Sequence, residues 1–312
     1  MSISACIITN NDPKVLNAIK SVYDSVSEII LVNTSDRFEL DIKGLDKVKL
    51  HWFKWCEDFG KARNFAIKKA KGDYILTIDS DETLETDISK LTDEFDFYFA
   101  EINNNGKLYK NIRIFRNHIG IKYDNMIHES VENSCKNLKG AKTNIIFGHS
   151  GYELSSYELK KKAERNYRIL LKDKKNIGRN IHFAKHYHAL GDYKSAIFYA
   201  EKALKQNNIN EDNKAILCIL IFECYNMMNM PYAGIDYLRL SIEMLPMQIH
   251  SRYLLVNYLY SLSDRFKHKE LILKQLITIG SLITFRNSEM SNDIYCDINF
   301  VNKTRKEIEK WQ

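Results

Sequence analysis

Only three prolines and 12 glycines occur in 312 residues, which excludes collagen-like and Pro/Gly-rich low-complexity segments. No apolar run approaches the roughly 20 residues that cross a bilayer, so no membrane span is expected. The N-terminal MSISACIITNND lacks a basic n-region and a cleavage-site pattern. No signal peptide is therefore expected, and a cytoplasmic location is. The six cysteines, at 6, 56, 135, 218, 224 and 296, include no CxxC pair, so neither a zinc site nor a disulfide framework is indicated and reduced thiols fit. Helix-turn-helix, zinc-finger and RNP-type patterns are missing as well. The net charge of +6, from 46 basic and 40 acidic residues, fits an anionic small ligand without requiring one, and nucleic acid is not an expected partner.

What is present centres on Trp55 to Glu82, WCEDFGKARNFAIKKAKGDYILTIDSDE. From Phe59 onward, Ala62, Phe65, Ala66, Ile67 and Ala70 recur at helical spacing, and Gly72 is placed as the residue just past the helix end. Tyr74 to Ile78 reads as a covered strand that delivers Asp79-Ser80-Asp81-Glu82 at its carboxyl end, where open α/β sheets place ligands. Three carboxylates in four residues repel one another unless a cation or a set of donors is present. A hard divalent ion bridging to a phosphate answers that, whereas a solvated turn or a helix cap is the bland alternative. Before this stretch, Ser4–Thr9, Glu28–Asn33 and Val48–Phe53 read as strands alternating with a helix around Val15, Leu16, Ile19 and Val22, which predicts a parallel-rich sheet. After it, Phe95–Ile102 and Leu108–Arg116 read as a hairpin about Asn103–Lys107, and Asn144–Phe147 as a last strand.

In order, Trp55-x-x-Asp58-Phe59-x-x-Ala62-Arg63-Asn64, Gly72-Asp73-Tyr74-Ile75-Leu76 and Asp79-x-Asp81-Glu82 closely resemble family 2 glycosyltransferases of the GT-A type. The resemblance covers roughly the first half of the chain. It implies a Rossmann-like α/β domain in which Asp79 and Asp81 hold Mg²⁺ or Mn²⁺ on the diphosphate of a nucleotide sugar, UDP-linked for preference. Thr9, Asn33, Asp36, Asp58, Arg63, Asp79 and Ser80 are the donor-site candidates it implies. Asn33 stands where the family has an Asp, and Asp36 is the candidate to replace it. Arg113-Ile114-Phe115-Arg116 and His128-Glu129 match a further family progression. An inverting transfer needs a base for the acceptor's proton; Glu129 is that candidate, with His128 as neighbour or alternative, against a purely structural hydrogen-bonding pair. Gly148-His149-Ser150-Gly151-Tyr152 resembles the close of the catalytic domain, and His149 is a candidate third metal ligand. Trp55 and Phe59 read as packing residues.

The second half is helical. Glu158–Lys175 forms a basic amphipathic helix with Ala163, Tyr167 and Leu170-Leu171 inward. Phe183-Ala184-x-x-Tyr187-x-x-x-Gly191 through Ala196, Ala200 and Ala203 then closely resembles a tetratricopeptide repeat. A second copy lies 38 residues on, with Tyr225 for Tyr187, Asn229 for Gly191, Gly234 for Ala196, Tyr237 for Tyr199 and Ser241 for Ala203. A degenerate third pair over Ser251–Ile279 and a terminal helix near Val301–Trp311 complete the stack. His182, His186 and His188 read as structural, with no acid partner in the sequence nearby.

The expected organisation is a GT-A catalytic domain at 1–152, a connecting helix at 153–179 and an all-α tetratricopeptide-like domain at 180–312. The expected function is metal-dependent, inverting transfer from a nucleotide sugar to a peptide or protein side chain held by the repeats. That acceptor comes from the resemblance to bacterial peptide (glycocin-type) glycosyltransferases; a homodimer through the repeats is a further option. Alternatives are an acceptor among envelope saccharides, a repeat-protein adaptor with an inactive transferase domain, and a nucleotidyltransferase, whose Gly-rich, Lys-containing N-terminal loop is missing.

Overall fold

The computed structural model describes residues 1–104, 107–149, 156–286 and 296–310. The Asn105-Gly106 hairpin tip, Ser150-Gly151-Tyr152 with the boundary at 152, and Trp311 lie outside the described residues. The chain divides into two compact units, Met1–Asn176 and Ile177–Gln312.

In the first unit the elements run β1 (Ile3–Thr9), α1 (Val15–Val22), β2 (Glu28–Asn33), β3 (Val48–Trp52), α2 (Phe59–Lys69), β4 (Tyr74–Thr77), β5 (Glu82–Leu84), β6 (Phe97–Asn104), β7 (Lys107–Arg116), α3 (Glu132–Cys135), β8 (Gly140–His149) and α4 (Ser156–Lys172). One eight-stranded sheet has the order β3-β2-β1-β4-β7-β6-β8-β5. The first four of these strands are parallel, β7 is antiparallel to β4 and β6, and β5 is antiparallel to β8. All six residues of β2, Glu-Ile-Ile-Leu-Val-Asn, are buried, as a parallel strand covered on both faces requires. On one face α1 buries Val15, Ala18, Ile19 and Val22; on the other, α2 buries Ala62 and Ala66.

Strand β5 was not expected, because three residues that start on the last acid of the cluster carry no strand pattern. Its position decides the shape of the sheet. Thr77 and Glu82 are five residue steps apart and reach at most about 17 Å, whereas four strand spacings across a flat sheet come to about 19 Å. The sheet therefore curls, and β5 returns beside the end of β4.

Gly72 has a different role from the one its sequence position suggests. Helix α2 ends at Ala70 in an extended conformation (φ −72°, ψ 141°), and no left-handed residue caps it. Gly72 instead lies against β1, where a Cβ would sit 2.7 Å from Ser4 Oγ and 2.8 Å from Ser4 N. Its N–H donates to Ser4 Oγ at 2.8 Å, Ser4 Oγ donates to Glu28 Oε1 at 2.6 Å, and Lys71 N donates to the same oxygen at 2.6 Å.

The second unit by itself contains α5 (Arg179–Ala189), α6 (Tyr193–Leu204), α7 (Glu211–Met227), α8 (Ile235–Met244), α9 (Ile249–Ser261), α10 (Lys269–Arg286) and α11 (Ile298–Ile308). The 38-residue correspondence is visible in its geometry. Gly191 and Asn229 both take left-handed turns, at φ 75° and 58°. Tyr187 stacks on Tyr199 with centroids 5.4 Å apart, and Tyr225 on Tyr237 at 6.5 Å. Ala203 and Ser241 are both fully buried. Among the described residues no helix is long and apolar enough to cross a membrane.

A Gly72→Ala substitution forces Ser4 and its buried hydrogen bonds to shift, and should cost roughly 1–3 kcal/mol. Urea denaturation of the variant should show a lower midpoint with unchanged slope. An unaltered midpoint would show that the contact is not needed.

Candidate active site

The turn from β4 to β5 carries Asp79, Ser80 and Asp81, and Glu82 opens β5. Beneath this turn lies a paired array of charges. Arg63, on the second turn of α2 and buried, reaches Asp79 Oδ1 with Nη2 at 2.5 Å and Glu129 Oε1 with Nε at 2.7 Å. Arg113, buried on β7, reaches Asp79 Oδ2 at 3.3 Å and Glu82 Oε1 at 2.5 Å. Asp79 N–H donates to Glu82 Oε2 at 3.0 Å. Tyr123 is buried beneath the array, its ring 5.4 Å from the Arg63 guanidinium and its hydroxyl donating to Thr77 Oγ1 at 3.0 Å.

Burial alone would raise the Asp79 carboxyl, but the Arg63 and Arg113 charges overcome it and hold Asp79 well below the usual carboxylate range. Burial would likewise depress Arg63, and the charges of Asp79 and Glu129 reverse that. Two guanidiniums face three carboxylates, so one acid is left in surplus. It is Glu82: burial pushes its carboxyl up to about 7, with Arg113 opposing and the Asp79 charge adding.

Asp81 and His149 form a separate pair, with Oδ2 and Nε2 3.5 Å apart and side chains 24% and 18% exposed. The register that aligns Glu82 with His149 across β5 and β8 brings them together. Among the described residues no group of three or more His, Cys, Asp or Glu side chains is arranged as a metal site. Asp79, the other expected ligand, has both carboxylate oxygens on guanidiniums.

Glu129 sits in a loop closed by the bridge Asp124↔Ser130. Asn125 and His128 are both left-handed, at φ 71° and 52°, conformations that non-glycine residues hold only when their surroundings impose them. The surroundings are specific. Phe59 N–H donates to Met126 O at 2.8 Å, Met126 N–H to Asp173 Oδ2 at 2.8 Å, and Asn176 Nδ2 to Ile127 O at 3.1 Å. A Cβ on Gly60 would lie 2.3 Å from Asn125 O. The sequence Asp58-Phe59-Gly60 is thus a seat for the loop as well as a helix start.

The other sequence candidates divide. Asp58 is the cap of α2, accepting from Lys61 N at 2.8 Å. Asn33 uses both amide hydrogens, on Ser35 O and Arg37 O, and its oxygen accepts from Ser35 N and Oγ; its four hydrogen-bonding positions build the 33–37 loop. Thr9, its register partner, accepts from Thr34 N at 2.8 Å through its carbonyl. Asp36 is exposed in this loop, and Ser80 is half-buried in the turn. Trp55 and Phe59 pack edge to face at 4.8 Å. Residues 156–172 form the expected basic helix, which belongs to the first unit: Arg168 and Lys172 both pair with Glu57. Sequence reading missed Arg113 and Tyr123 as site residues; Arg113 opens the Arg-Ile-Phe-Arg motif, the one signal that pointed there. In the second unit, His188 does have an acid nearby. Glu223 of α7 lies 3.9 Å from it and 3.6 Å from His250, brought there by helix packing across 35 residues of sequence.

Residues 4–104 match the family described as glycosyl transferase family 2. That match lies wholly within the first unit. The SPbeta prophage-derived glycosyltransferase SunS of Bacillus subtilis is 24% identical over 280 residues, a match covering 78% of this chain and 66% of SunS. The chain thus spans just under two thirds of that relative's length. A TPR repeat-containing protein of Synechococcus elongatus is 29% identical over 183 residues, covering 52% of this chain and 45% of the relative. The structure of S. aureus TarS 1–349 in complex with UDP-GlcNAc is 14% identical, with a TM-score of 0.44, over 75% of this chain and 89% of that one.

The surplus acid of the first unit gives a test. Glu82 has a folded-state value above its ordinary 4.5, so the folded protein keeps a proton there that the unfolded chain releases. The resulting stabilisation is complete below about pH 4.5 and is lost as the pH rises through 7. In metal-free buffer, wild-type stability relative to Glu82→Gln should fall between pH 5 and 8. Parallel stability curves for the two proteins would contradict this account of Glu82.

Proposed function

We propose that the chain is a metal-dependent, inverting glycosyltransferase that moves a sugar from a nucleotide sugar, UDP-linked, to a peptide or protein side chain. The observation that carries this reading is the Arg63 bridge, which ties the Asp-x-Asp turn to Glu129 within one hydrogen-bonded array in a family 2 domain. Support for the donor comes from the carboxylates at the strand ends, where α/β sheets bind phosphorylated ligands.

A divalent ion fits Asp81 and His149 on donor chemistry, because Mg²⁺ and Mn²⁺ accept few protein ligands and complete their shells with phosphate oxygens and water. When bound, it would neutralise the charge of the leaving diphosphate. Asp79 serves by fixing Arg63 and Arg113. Glu129 has Oε1 on Arg63, while Oε2 carries no hydrogen bond among the described residues; the side chain is 12% exposed. As the acceptor heteroatom bonds to the anomeric carbon, the bond to the diphosphate oxygen breaks, the acceptor's proton passes to Glu129, and configuration inverts. His128 holds the turn that presents Glu129. For the acceptor, the support is the second unit, whose stacked helix pairs are the kind of surface that holds extended peptides.

Calorimetric titration of UDP, GDP, UDP-glucose and UDP-N-acetylglucosamine with and without Mn²⁺ tests the donor side. Metal-dependent binding of a uridine ligand should weaken at least about tenfold (~1.4 kcal/mol) in Asp81→Ala. Full affinity in that variant, or in EDTA, would reject the metal role. Failure of every nucleotide to bind wild type would favour an adaptor.

A further inference from the structure

Three arginines belong to the first unit's acid array or lie beside it, and they are not equivalent. Arg63 meets two carboxylates and so does Arg113. Arg165, on α4, meets none among the described residues. It is half-buried, its guanidinium 5.1 Å from the centroid of the Phe59 ring. Its Nε and Nη2 both donate to the amide oxygen of its chain neighbour Asn166, at 3.1 and 2.8 Å, and Nη1 has no partner among the described residues. The next arginine along α4, Arg168, is paired with Glu57, so Arg165 is the exception on its own helix too.

A guanidinium withdrawn from water without a countercharge is costly. Burial depresses Arg165 below the ordinary arginine value, and only the Glu129 charge works against this. Its place in the site follows from α2. Phe59 and Arg63 are four residues apart on that helix and share a face, so Arg165 lies over the ring one turn along from the guanidinium that reaches Asp79. The inner array offers no net positive charge, with two cations spent on three acids. A dianion arriving at this strand end needs a cation that is not already neutralised, and the planar fork of arginine suits phosphate oxygens.

We infer that Arg165 binds the diphosphate of the nucleotide donor. This rests on the glycosyltransferase reading of the site and adds to it a residue from outside the 4–104 family match. Phe59 supports the flat face of the guanidinium, Asn166 holds it in waiting through a neutral amide, and Nη1 makes the first contact with a phosphate oxygen.

The test is calorimetric titration of uridine, UMP and UDP with Mn²⁺, on wild type, Arg165→Gln and Arg165→Lys, with matching circular dichroism to establish that the variants fold. Arg165→Gln should weaken UDP about tenfold and leave uridine unchanged, and Arg165→Lys, which keeps charge without the fork, should fall between. Equal UDP affinity in wild type and Arg165→Gln would overturn the inference while leaving the reading of the site intact. Equal losses for uridine and UDP would overturn it as well, showing a distorted site. Wild type that binds no UDP would reject the glycosyltransferase reading and this inference with it.

Discussion

One guanidinium holds the candidate site together. Arg63 bridges the acid at the end of β4 to the acid of the 124–130 loop. Because Arg63 is buried, each of its ion pairs is shielded from water, and losing either partner would leave an uncompensated charge. Tyr123 beneath it and Arg113 beside it complete the arrangement. The cations are consumed locally, so the array fixes positions and presents no positive surface. That is why Arg165, a guanidinium with no carboxylate partner among the described residues, stands out against it.

The curl of the sheet is the second constraint. A turn too short to cross a flat sheet carries β5 from the end of β4, and this return delivers Glu82 to Arg113 and aligns it with His149. The chemistry at Asp81 and the burial of Glu82 thus have one geometric origin. Neighbouring residues in a single acid run acquire opposite circumstances: Asp79 is neutralised by two arginines, Asp81 is partly exposed beside an imidazole, and Glu82 is buried with a raised carboxyl.

The loop bearing His128 and Glu129 shows how a strained segment is kept in place. Its left-handed residues are clamped from α2 by Phe59 and Gly60 and from beyond α4 by Asp173 and Asn176. In the second unit the same economy appears as repetition. Two turns 38 residues apart need a positive φ, and glycine fills one while asparagine, which tolerates that region through its short polar side chain, fills the other.

The sequence by itself determined the strands β1 to β4, the helix between Asp58 and Ala70 and the helical pairing of the second half. These rest on local pattern: continuous apolar runs, helical spacing and linked motifs. Only the tertiary structure decided that Asp79 faces arginines, that Asn33 spends its amide on its own loop, that Gly72 is required by Ser4 and not by a helix cap, and that Glu223 stands between two histidines. Asn33 turns on the shape of its own loop, and the other three depend on contacts between residues far apart in the chain, which set the charge, burial and free donors of a side chain. A residue's type limits what it can do, and the neighbours that folding brings decide which of those things it does.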